Sequence, residues 1–521
     1  MEQAKMIRKV SLDGHSLTLE AFVAVARFGA AVELTQQARE AILRSRALAE
    51  KIMEEHRVAY GITTGFGDFA TVAVPEEMSS QLSTNLILSH CVGTGDPYSE
   101  EVVRGMMLLR ANALCVGVSG VRLELVEKLV ALLNAKVSPW VPQKGSLGAS
   151  GDLAPLSHMG LVLLGRGQAY YNGELLSGAE ALRRAGIEPL ATLVSKEGLG
   201  ITNGTCAMTS VGALNLYDTI HAAQLADLIG SLTLTALAGQ LNAFQDRVHR
   251  VRGQVGQIRV AENLRLLTEG SEILRNSQGD RVQDAYALRC MPQVHGAVRD
   301  ALDYIKSRVD IELNAVTDNP LMFLEDEAVI SGGNFHGEPM ALPFDFLGIA
   351  CAELASISER RTERMVNAAL SNGLTPFLTT EGGINSGYMI VQYSAASMAS
   401  ENKVLAHPAS VDSIPSSANQ EDFVSMGTTA ARKSKQILEN TLSVLAYELL
   451  TACQAVDIRR RLNTHGKGLS PVHEAVFRHV REKVAFMEVD RELWPDIVEV
   501  EKMVRSGELL DIAEELVPEF H

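Results

Sequence analysis

Residues 145–158 read Gly-Ser-Leu-Gly-Ala-Ser-Gly-Asp-Leu-Ala-Pro-Leu-Ser-His, with glycine or another small residue at most of the first seven positions. Glycine tolerates backbone angles that a Cβ atom forbids, so this stretch predicts a loop of unusual geometry. A phosphate-binding loop would continue with Lys and Ser or Thr, whereas Asp152 and Leu153 follow the last glycine. A plain glycine loop without chemistry is the other alternative.

The tripeptide Ala149–Gly151 offers a chemical interpretation of this loop. If the chain bends tightly, the amide nitrogen of Gly151 could attack the carbonyl carbon of Ala149 and close a five-membered ring. Loss of water from that ring and from Ser150 would leave an exocyclic methylidene group. Glycine is the least hindered nucleophile, serine carries a hydroxyl that can be eliminated, and Asp152 could polarise the turn. The product would be an electrophile that no standard side chain supplies.

Composition limits the partners that the chain can have. Its 521 residues carry a formal net charge of −16, which argues against nucleic acid or an anionic membrane surface as a partner. The six cysteines lie far apart without a Cys-x-x-Cys pair, so we expect reduced thiols in the cytoplasm, no disulfide framework and no zinc site. The most apolar stretch, residues 225–241, contains Asp227 and two glycines, so we expect no membrane span.

Apolar residues at three-and-four spacing predict a mainly α protein built as a bundle of long helices. Residues 168–176 predict a short hairpin that turns at Asn172-Gly173. We predict a loop-rich N-terminal part over 1–205, a central long-helix bundle over 206–459 and a C-terminal helical tail over 460–521. Charged residues within 359–363 are interpreted as a solvated or inter-subunit face. The main helical runs are expected at 38–52, 106–137, 208–229, 294–314, 343–367 and 428–456.

Polar loops interrupt these helices. Tyr60 opens the segment Tyr-Gly-Ile-Thr-Thr-Gly-Phe-Gly (60–67), a loop that would present its phenol, although a glycine turn with a half-buried tyrosine is the structural alternative. Gln283, Tyr286 and Arg289 follow one another at intervals of three and would share one side of a helix. The guanidinium of Arg289 suits a planar carboxylate, and an inter-helix salt bridge is the alternative.

The segment 145–158 resembles the signature of the aromatic amino acid ammonia-lyases and aminomutases, and the resemblance extends from about residue 60 to residue 459. It implies that Ala149–Gly151 matures autocatalytically into 4-methylidene-imidazol-5-one, with no external cofactor and no metal. It also implies a helical homotetramer in which each active site takes loops from more than one subunit. The expected partner is a small amino acid substrate.

The resemblance further implies roles for individual side chains. Tyr60 would be the acid–base, Arg289 would hold the substrate carboxylate, and Ser89 with His90 would meet the far end of the substrate. The predicted catalytic residues are Tyr60, Ala149, Ser150, Gly151, Asn203, Tyr286 and Glu421. The predicted substrate-binding residues are Ser89, His90, Gln283, Arg289, Phe335, Met389 and Gln420.

Residues 413–422 resemble the corresponding loop in histidine-acting members of the family, and residues 88–90 and 293–295 also resemble those members. His90 itself does not decide the substrate, because it could hydrogen-bond an imidazole or a phenol. A carboxylate at Glu421 can accept a hydrogen bond from an imidazole N–H. Beside a bare phenyl ring the same carboxylate would be desolvated without a partner, which costs about 1–3 kcal/mol or more. The expected reaction is therefore L-histidine to trans-urocanate and ammonia.

Phe423 stands where a second histidine is expected, and the tail after Ala455 is more similar to tyrosine- and phenylalanine-acting relatives. A lyase for those substrates, or a 2,3-aminomutase, is the alternative, and either the amine or the ring of the substrate could attack the electrophile.

Overall fold

The computed structural model describes residues 2–65, 74–75 and 78–521. These residues are mainly helical, which confirms the predicted fold class. The chain divides into two compact units. Unit 1 comprises Met1–Tyr217, Ile305–Asp345 and Pro408–Arg432, and unit 2 comprises Asp218–Tyr304, Phe346–His407 and Lys433–His521. The division at 205 and 459 expected from the sequence stays a prediction.

Along the chain the helices are α1 (Glu2–Met6), α2 (Leu19–Ala26), α3 (Gln36–Glu54), α4 (Ser79–His90), α5 (Glu100–Cys115), α6 (Leu123–Ala135), α7 (Leu153–Leu163), α8 (Gly178–Ala185), α9 (Glu197–Thr202), α10 (Cys206–Ala236), α11 (Asp246–Arg250), α12 (Val255–Thr268), α13 (Glu272–Asn276), α14 (Tyr286–Arg289), α15 (Met291–Glu312), α16 (Glu338–Val366), α17 (Met389–Leu405), α18 (Gly427–Leu462), α19 (Pro471–Lys483), α20 (Trp494–Ser506) and α21 (Glu508–Leu516). Short 3-10 turns lie at Leu241–Phe244, Pro376–Leu378 and Ser417–Asn419. Helices α10, α15, α16 and α18 each contain residues of both units.

The strands of unit 1 are short and pair locally. They are β1 (Lys9–Leu12), β2 (Ala31–Leu34), β3 (Thr94–Pro97), β4 (Ser138–Pro139), β5 (Pro142–Lys144), β6 (Gln168–Tyr171), β7 (Glu174–Ser177), β8 (Leu321–Phe323) and β9 (Ala328–Ile330). Strand β1 runs parallel to β2, whereas β3–β5, β4–β6–β7 and β8–β9 are antiparallel. The pair β3–β5 ends at Lys144 and therefore delivers the chain directly into the glycine-rich loop.

Local sequence explains several of these elements. Helix α3 begins after Thr35, whose hydroxyl accepts a 3.1 Å hydrogen bond from the amide of Ala38. The hairpin β6–β7 turns at Asn172 (φ 51°) and Gly173 (φ 80°), the left-handed pair that a two-residue loop requires, which confirms that prediction. The apolar faces expected on α16 and α18 are also buried: Leu347, Ala350, Leu354, Ile357, Leu438, Leu442, Leu445 and Leu449.

The single helical run expected over 106–137 is wrong. Helix α5 ends at Cys115 and α6 begins only at Leu123. Between them Gly117 (φ 76°) adopts a left-handed conformation and passes so close to α3 that a Cβ atom there would lie 2.5 Å from the carbonyl carbon of Ala41. This break depends on a distant part of the chain, so helical periodicity alone does not reveal it.

The expectation of a solvated charged face within 359–363 is also wrong for two of its members, because Glu359 and Arg361 are buried. The Arg361 guanidinium pairs with both carboxylate oxygens of Glu448, at 2.5 Å and 2.8 Å. Thr233 and Ser358 donate to the same carboxylate at 2.7 Å and 2.6 Å. A buried charge with these partners is tolerated in the interior of unit 2.

By length and composition alone, Glu338–Val366 and Gly427–Leu462 are long and apolar enough to cross a membrane. Their apolar windows are 67% and 83% buried within the fold, as in the core helices of a soluble protein. The stretch 225–241, expected to be the most apolar, begins in α10.

Candidate active site

The tripeptide Ala149–Gly151 lies in a tight turn of unit 1. The amide of Gly151 donates to the carbonyl oxygen of Gly148 across the turn, at 3.4 Å. Ser150 adopts φ 50°, a left-handed conformation that is uncommon for a residue with a Cβ atom. The surrounding contacts therefore hold residues 148–151 in a tight turn.

Those contacts come from the segment just before α10. The Gly204 amide donates to the Ser150 carbonyl oxygen at 3.1 Å, and the Asp152 amide donates to the Gly204 carbonyl oxygen at 2.8 Å. A Cβ atom on Gly151 would lie 2.1 Å from that Gly204 oxygen, and one on Gly148 would lie 2.5 Å from Ser425 Oγ. Glycine is thus required at both ends of the turn by close packing as well as by positive φ angles.

The buried Asp152 carboxylate does not engage the turn that it was expected to polarise. Its Oδ2 atom accepts from the amides of Ala207 and Met208, at 2.8 Å and 2.9 Å, and so caps the first turn of α10. Its Oδ1 atom accepts from Ser146 Oγ at 2.8 Å and from the hydroxyl of Thr428. Burial raises the pKa of Asp152, and these four hydrogen bonds oppose that shift.

Asn203 is buried beside the turn in a defined orientation. Its Nδ2 atom donates to the backbone carbonyl oxygen of Asn319 at 3.1 Å. Because a carbonyl oxygen can only accept, this contact fixes which way the side-chain amide points. Within the described ranges no group donates to Asn203 Oδ1, and the role of Asn203 stays a prediction.

Arg110 supports the same segment, although sequence reasoning did not single it out. Its buried guanidinium donates to the Gly200 carbonyl oxygen at 3.0 Å, to Thr317 Oγ1 at 3.2 Å and to Cys206 Sγ at 3.1 Å. A Cβ atom on Gly204 would lie 2.1 Å from Arg110 Nη2. A charged side chain within the otherwise uncharged run 105–115 of α5 is the signal that marks such a residue.

Tyr60 is half-buried at the start of its loop, as in the structural alternative of a glycine turn. The loop is closed by side chains, since Ala59 N donates to Thr63 Oγ1 at 2.9 Å and Gly61 N donates to Thr64 Oγ1 at 3.2 Å. Phe66 and Gly67, the last two residues of the predicted motif, lie outside the described residues. The acid–base role of Tyr60 stays a prediction.

Ser89 and His90 interact at the end of α4. Ser89 Oγ lies 2.9 Å from His90 Nδ1 and 3.2 Å from the Leu86 carbonyl oxygen. With the hydroxyl hydrogen on Leu86, Nδ1 carries the proton of a neutral imidazole and Nε2 is the acceptor; in the other tautomer the hydroxyl donates to Nδ1 and Nε2 carries the proton. Burial lowers the pKa of His90, which favours the neutral ring. In the first tautomer His90 can accept from a ligand N–H or O–H.

Glu421 is held by a backbone bridge to Ser416. The amide of each residue donates to the carbonyl oxygen of the other, at 2.9 Å and 3.2 Å, and Ser416 Oγ lies 3.4 Å from Glu421 Oε2. Gln420 beside it is exposed, and Phe335 is half-buried. Phe423, found where a histidine was expected, stacks on the ring of His336 with centroids 6.2 Å apart.

The remaining predicted residues belong to unit 2. Helix α14 brings Tyr286 and Arg289 together, with the guanidinium carbon 4.7 Å from the centre of the phenol ring. Gln283 precedes this one-turn helix, so the expected alignment of all three residues on one helix face is wrong. Tyr286 is 71% exposed. Met389 is the first residue of α17 and is half-buried.

His295, from a segment that resembles histidine-acting relatives, lies in the core of unit 2. Its Nδ1 atom is 2.7 Å from Asp227 Oδ1, and its Nε2 atom is 3.3 Å from Arg361 Nη1. Burial lowers the pKa of His295. Both ring nitrogens are committed to the core, so His295 is a structural residue. Among the described residues, no three His, Cys, Asp or Glu side chains are grouped to hold a metal ion.

Comparison with known proteins covers almost the whole chain. A family model described as aromatic amino acid lyase matches residues 17–482. A histidine ammonia-lyase of Caldanaerobacter subterraneus subsp. tengcongensis is 56% identical over 509 residues, covering 98% of this chain and 99% of that protein. The crystal structure of a histidine ammonia-lyase from Trypanosoma cruzi aligns with a TM-score of 0.90 at 40% identity, over 98% of this chain and 96% of that one. A tyrosine aminomutase from Streptomyces globisporus aligns with a TM-score of 0.93 at 38% identity, over 98% and 99%. These similarities confirm the resemblance and the ammonia-lyase class expected from the sequence.

Proposed function

The chain belongs to the aromatic amino acid lyase family, and from that premise we propose that it removes ammonia from L-histidine to give trans-urocanate. The observation that carries the proposal is the clamped turn at Ala149–Gly151, because it supplies the bend from which an electrophile can form. We further propose that the protein acts in the cytoplasm as a homotetramer. A monomer that sediments alone with full activity would contradict the tetramer.

The residues present fit 4-methylidene-imidazol-5-one. A bond forms between Gly151 N and the carbonyl carbon of Ala149, and the carbonyl oxygen leaves as one water with the amide hydrogens of Ser150 and Gly151, so that this carbon becomes double-bonded to Ser150 N. The Cβ–O bond of Ser150 breaks, and its hydroxyl leaves with the α-hydrogen as a second water. When formed, the group supplies an electrophile to the amine or aromatic ring of the substrate. The Gly204 amide already donates to the Ser150 carbonyl oxygen, which the ring would retain.

The other residues bind the substrate and move a proton. Tyr60 takes the β-proton of the substrate, a role that requires nearby donors or positive charge to favour the phenolate. Asn203 offers Oδ1 to the substrate amine, and Arg289 holds the carboxylate with two hydrogen bonds. We assign Arg289 and Tyr286 to the same site through the tetramer, in which each site takes loops from more than one subunit.

His90 and Glu421 select the side chain of the substrate. Neutral His90 presents Nε2 as an acceptor, and Glu421 presents a carboxylate. The N–H of a neutral imidazole can satisfy one of these acceptors, and a protonated imidazole can satisfy both, whereas a phenyl ring can satisfy neither. Unpaired polar groups in a closed site strongly reject a substrate that lacks their partners.

The test is to incubate the purified protein separately with histidine, tyrosine and phenylalanine. Ultraviolet absorbance follows the conjugated acid products, and chromatography detects β-amino acids. We expect urocanate from histidine alone. Coumarate or cinnamate without urocanate would overturn the choice of substrate.

A 2,3-aminomutase or lyase for tyrosine or phenylalanine is the second candidate. Phe423 at the position of an expected histidine favours it, and so does the structural similarity to a tyrosine aminomutase. β-Amino acids in the same chromatograms would identify a mutase.

A further inference from the structure

Lys196 and Asp318 form a fully buried ion pair that the proposed chemistry does not use. Lys196 Nζ lies 2.6 Å from Asp318 Oδ2, and the two side chains are 0% and 1% exposed. A buried ion pair is weak evidence for stability, since desolvation offsets much of its attraction. Lys196 also adopts φ 75°, a left-handed conformation that is unfavourable for lysine. Stability alone therefore gives little reason for this pair.

The pair leads directly to Asn203. Asp318 Oδ1 accepts from the amide of Asn319 at 2.7 Å. The carbonyl oxygen of Asn319 accepts from Asn203 Nδ2 at 3.1 Å, and this hydrogen bond orients the Asn203 amide. Asn319 is held a second time, because its Oδ1 atom accepts from the Gly332 amide at 2.7 Å. Three successive contacts thus join the Lys196 ammonium group to Asn203.

The residue before Lys196 connects to the other proposed catalytic loop. Ser195 Oγ donates to the carbonyl oxygen of Ile62, two residues after Tyr60, at 3.1 Å. The Ser195 carbonyl oxygen accepts from Arg46 Nη1 at 3.1 Å. Residues 195–196 are therefore bonded both to the Tyr60 loop and, through Asp318, to the support of Asn203.

We propose that Lys196 is a positioning residue that acts through Asp318 and Asn319 to set the direction of Asn203 Oδ1. The inference rests on the proposed role of Asn203 at the substrate amine. Lys196 touches no reacting atom. Its removal lets the 317–319 segment shift, and a displacement of about 1 Å at a catalytic group can reduce turnover by ~100-fold.

A neighbouring ion pair provides a matched control. Arg122 binds both oxygens of Glu197 at 2.8 Å; the Glu197 side chain is 0% exposed and that of Arg122 is 28% exposed. The Glu197 carboxylate accepts from Arg122 and from the amide of Val194, and in the described part of the chain none of its side-chain contacts leads to Asn203. Lys196→Met and Arg122→Met each leave a buried carboxylate without its cation, so both should lower the melting temperature.

The experiment compares kcat and KM for histidine, melting temperature and intact mass in the wild type and both variants. We expect Lys196→Met to lose roughly 10- to 100-fold in kcat with KM within about 3-fold, whereas Arg122→Met keeps kcat within about 3-fold. Both variants should still show the mass loss of two waters, because the contacts of Ser150 in the turn involve neither Lys196 nor Arg122.

Three results would each overturn the inference. Lys196→Met could keep the wild-type kcat, or both variants could lose kcat equally. Lys196→Met alone could also fail to lose the mass of two waters. If Lys196→Met does not fold, Asp318→Asn is measured in its place, and the same loss of kcat is expected. Burial already lowers the pKa of Lys196, so its amine can release a proton once Asp318 is neutral. A wild-type protein that forms no urocanate would instead overturn the proposed function, and the inference with it.

Discussion

The carboxylate of Asp152 accepts a 2.9 Å hydrogen bond from the amide of Met208, in the first turn of a helix that begins 54 residues later at Cys206. Asp152 directly follows the turn at Ala149–Gly151 and makes no side-chain cap to its own helix α7. The bend is thereby attached to the end of a 31-residue helix. A rigid element thus holds a strained turn, which is how active sites maintain unfavourable conformations.

Asp152→Asn should destabilise the protein and impair ring formation. Asparagine replaces a charged acceptor with a neutral amide that keeps one acceptor oxygen, and a hydrogen bond to a charged group contributes about 1.5–3 kcal/mol. Denaturant unfolding measures the loss, and intact mass measures the fraction that has lost two waters. Asp303→Asn, at an exposed position that faces Arg259 at 3.8 Å, is the control and should change neither quantity. Full mass loss and wild-type stability in Asp152→Asn would refute this role.

Gly151→Ala should prevent ring formation through packing. The added Cβ atom would lie 2.1 Å from the Gly204 carbonyl oxygen, so the turn must open. Gly173→Ala is the matched control. Gly173 also has a positive φ angle (80°, against 82° at Gly151), but a Cβ atom added there would meet no other atom within 4 Å. We expect the mass loss of two waters to persist in Gly173→Ala and to disappear in Gly151→Ala. Its persistence in both would show that the close contact with Gly204 is not required.

The structural features that the sequence predicts correctly are those that depend on residues close together in the chain. The hairpin at Asn172-Gly173 and the buried face of α3 depend on neighbours in the chain, and both agree with the structure. The bend at Ala149–Gly151 follows from residue types that permit it. The break before α6 depends instead on Ala41, and the cap of α10 depends on Asp152. Contacts of this kind join distant segments, which periodicity and motif spacing do not encode.

The acceptor role of His90 predicts a pH dependence. Burial lowers the pKa of His90, so the ring stays neutral down to a pH below the ordinary histidine value and protonates below that. Protonation turns Nε2 from acceptor into donor, and kcat/KM should fall on the acidic side. In His90→Gln the amide oxygen accepts at every pH, so the acidic limb should flatten. The imidazole of the substrate titrates equally with both enzymes, so identical profiles would exclude His90 as the titrating acceptor.

Glu421→Gln should reduce turnover of histidine far more than any residual turnover of tyrosine. The charged acceptor is lost, and a hydrogen bond to a charged group contributes about 1.5–3 kcal/mol, which corresponds to roughly 10- to 150-fold in kcat/KM. The neighbouring Asp422→Asn neutralises an exposed carboxylate of the same loop and tests for general damage to the loop. Equal losses on both substrates would remove Glu421 from substrate selection.

Intact-protein mass tests the central claim most directly. Ring formation from Ala149–Gly151 expels two waters, so the purified wild-type protein should weigh about 36 Da less than its sequence, with no added reagent or partner protein, and should form urocanate from histidine. Ser150→Ala has no hydroxyl to eliminate and should show neither the mass loss nor the activity. A wild-type protein that converts histidine to urocanate at its full sequence mass would contradict the autocatalytic electrophile.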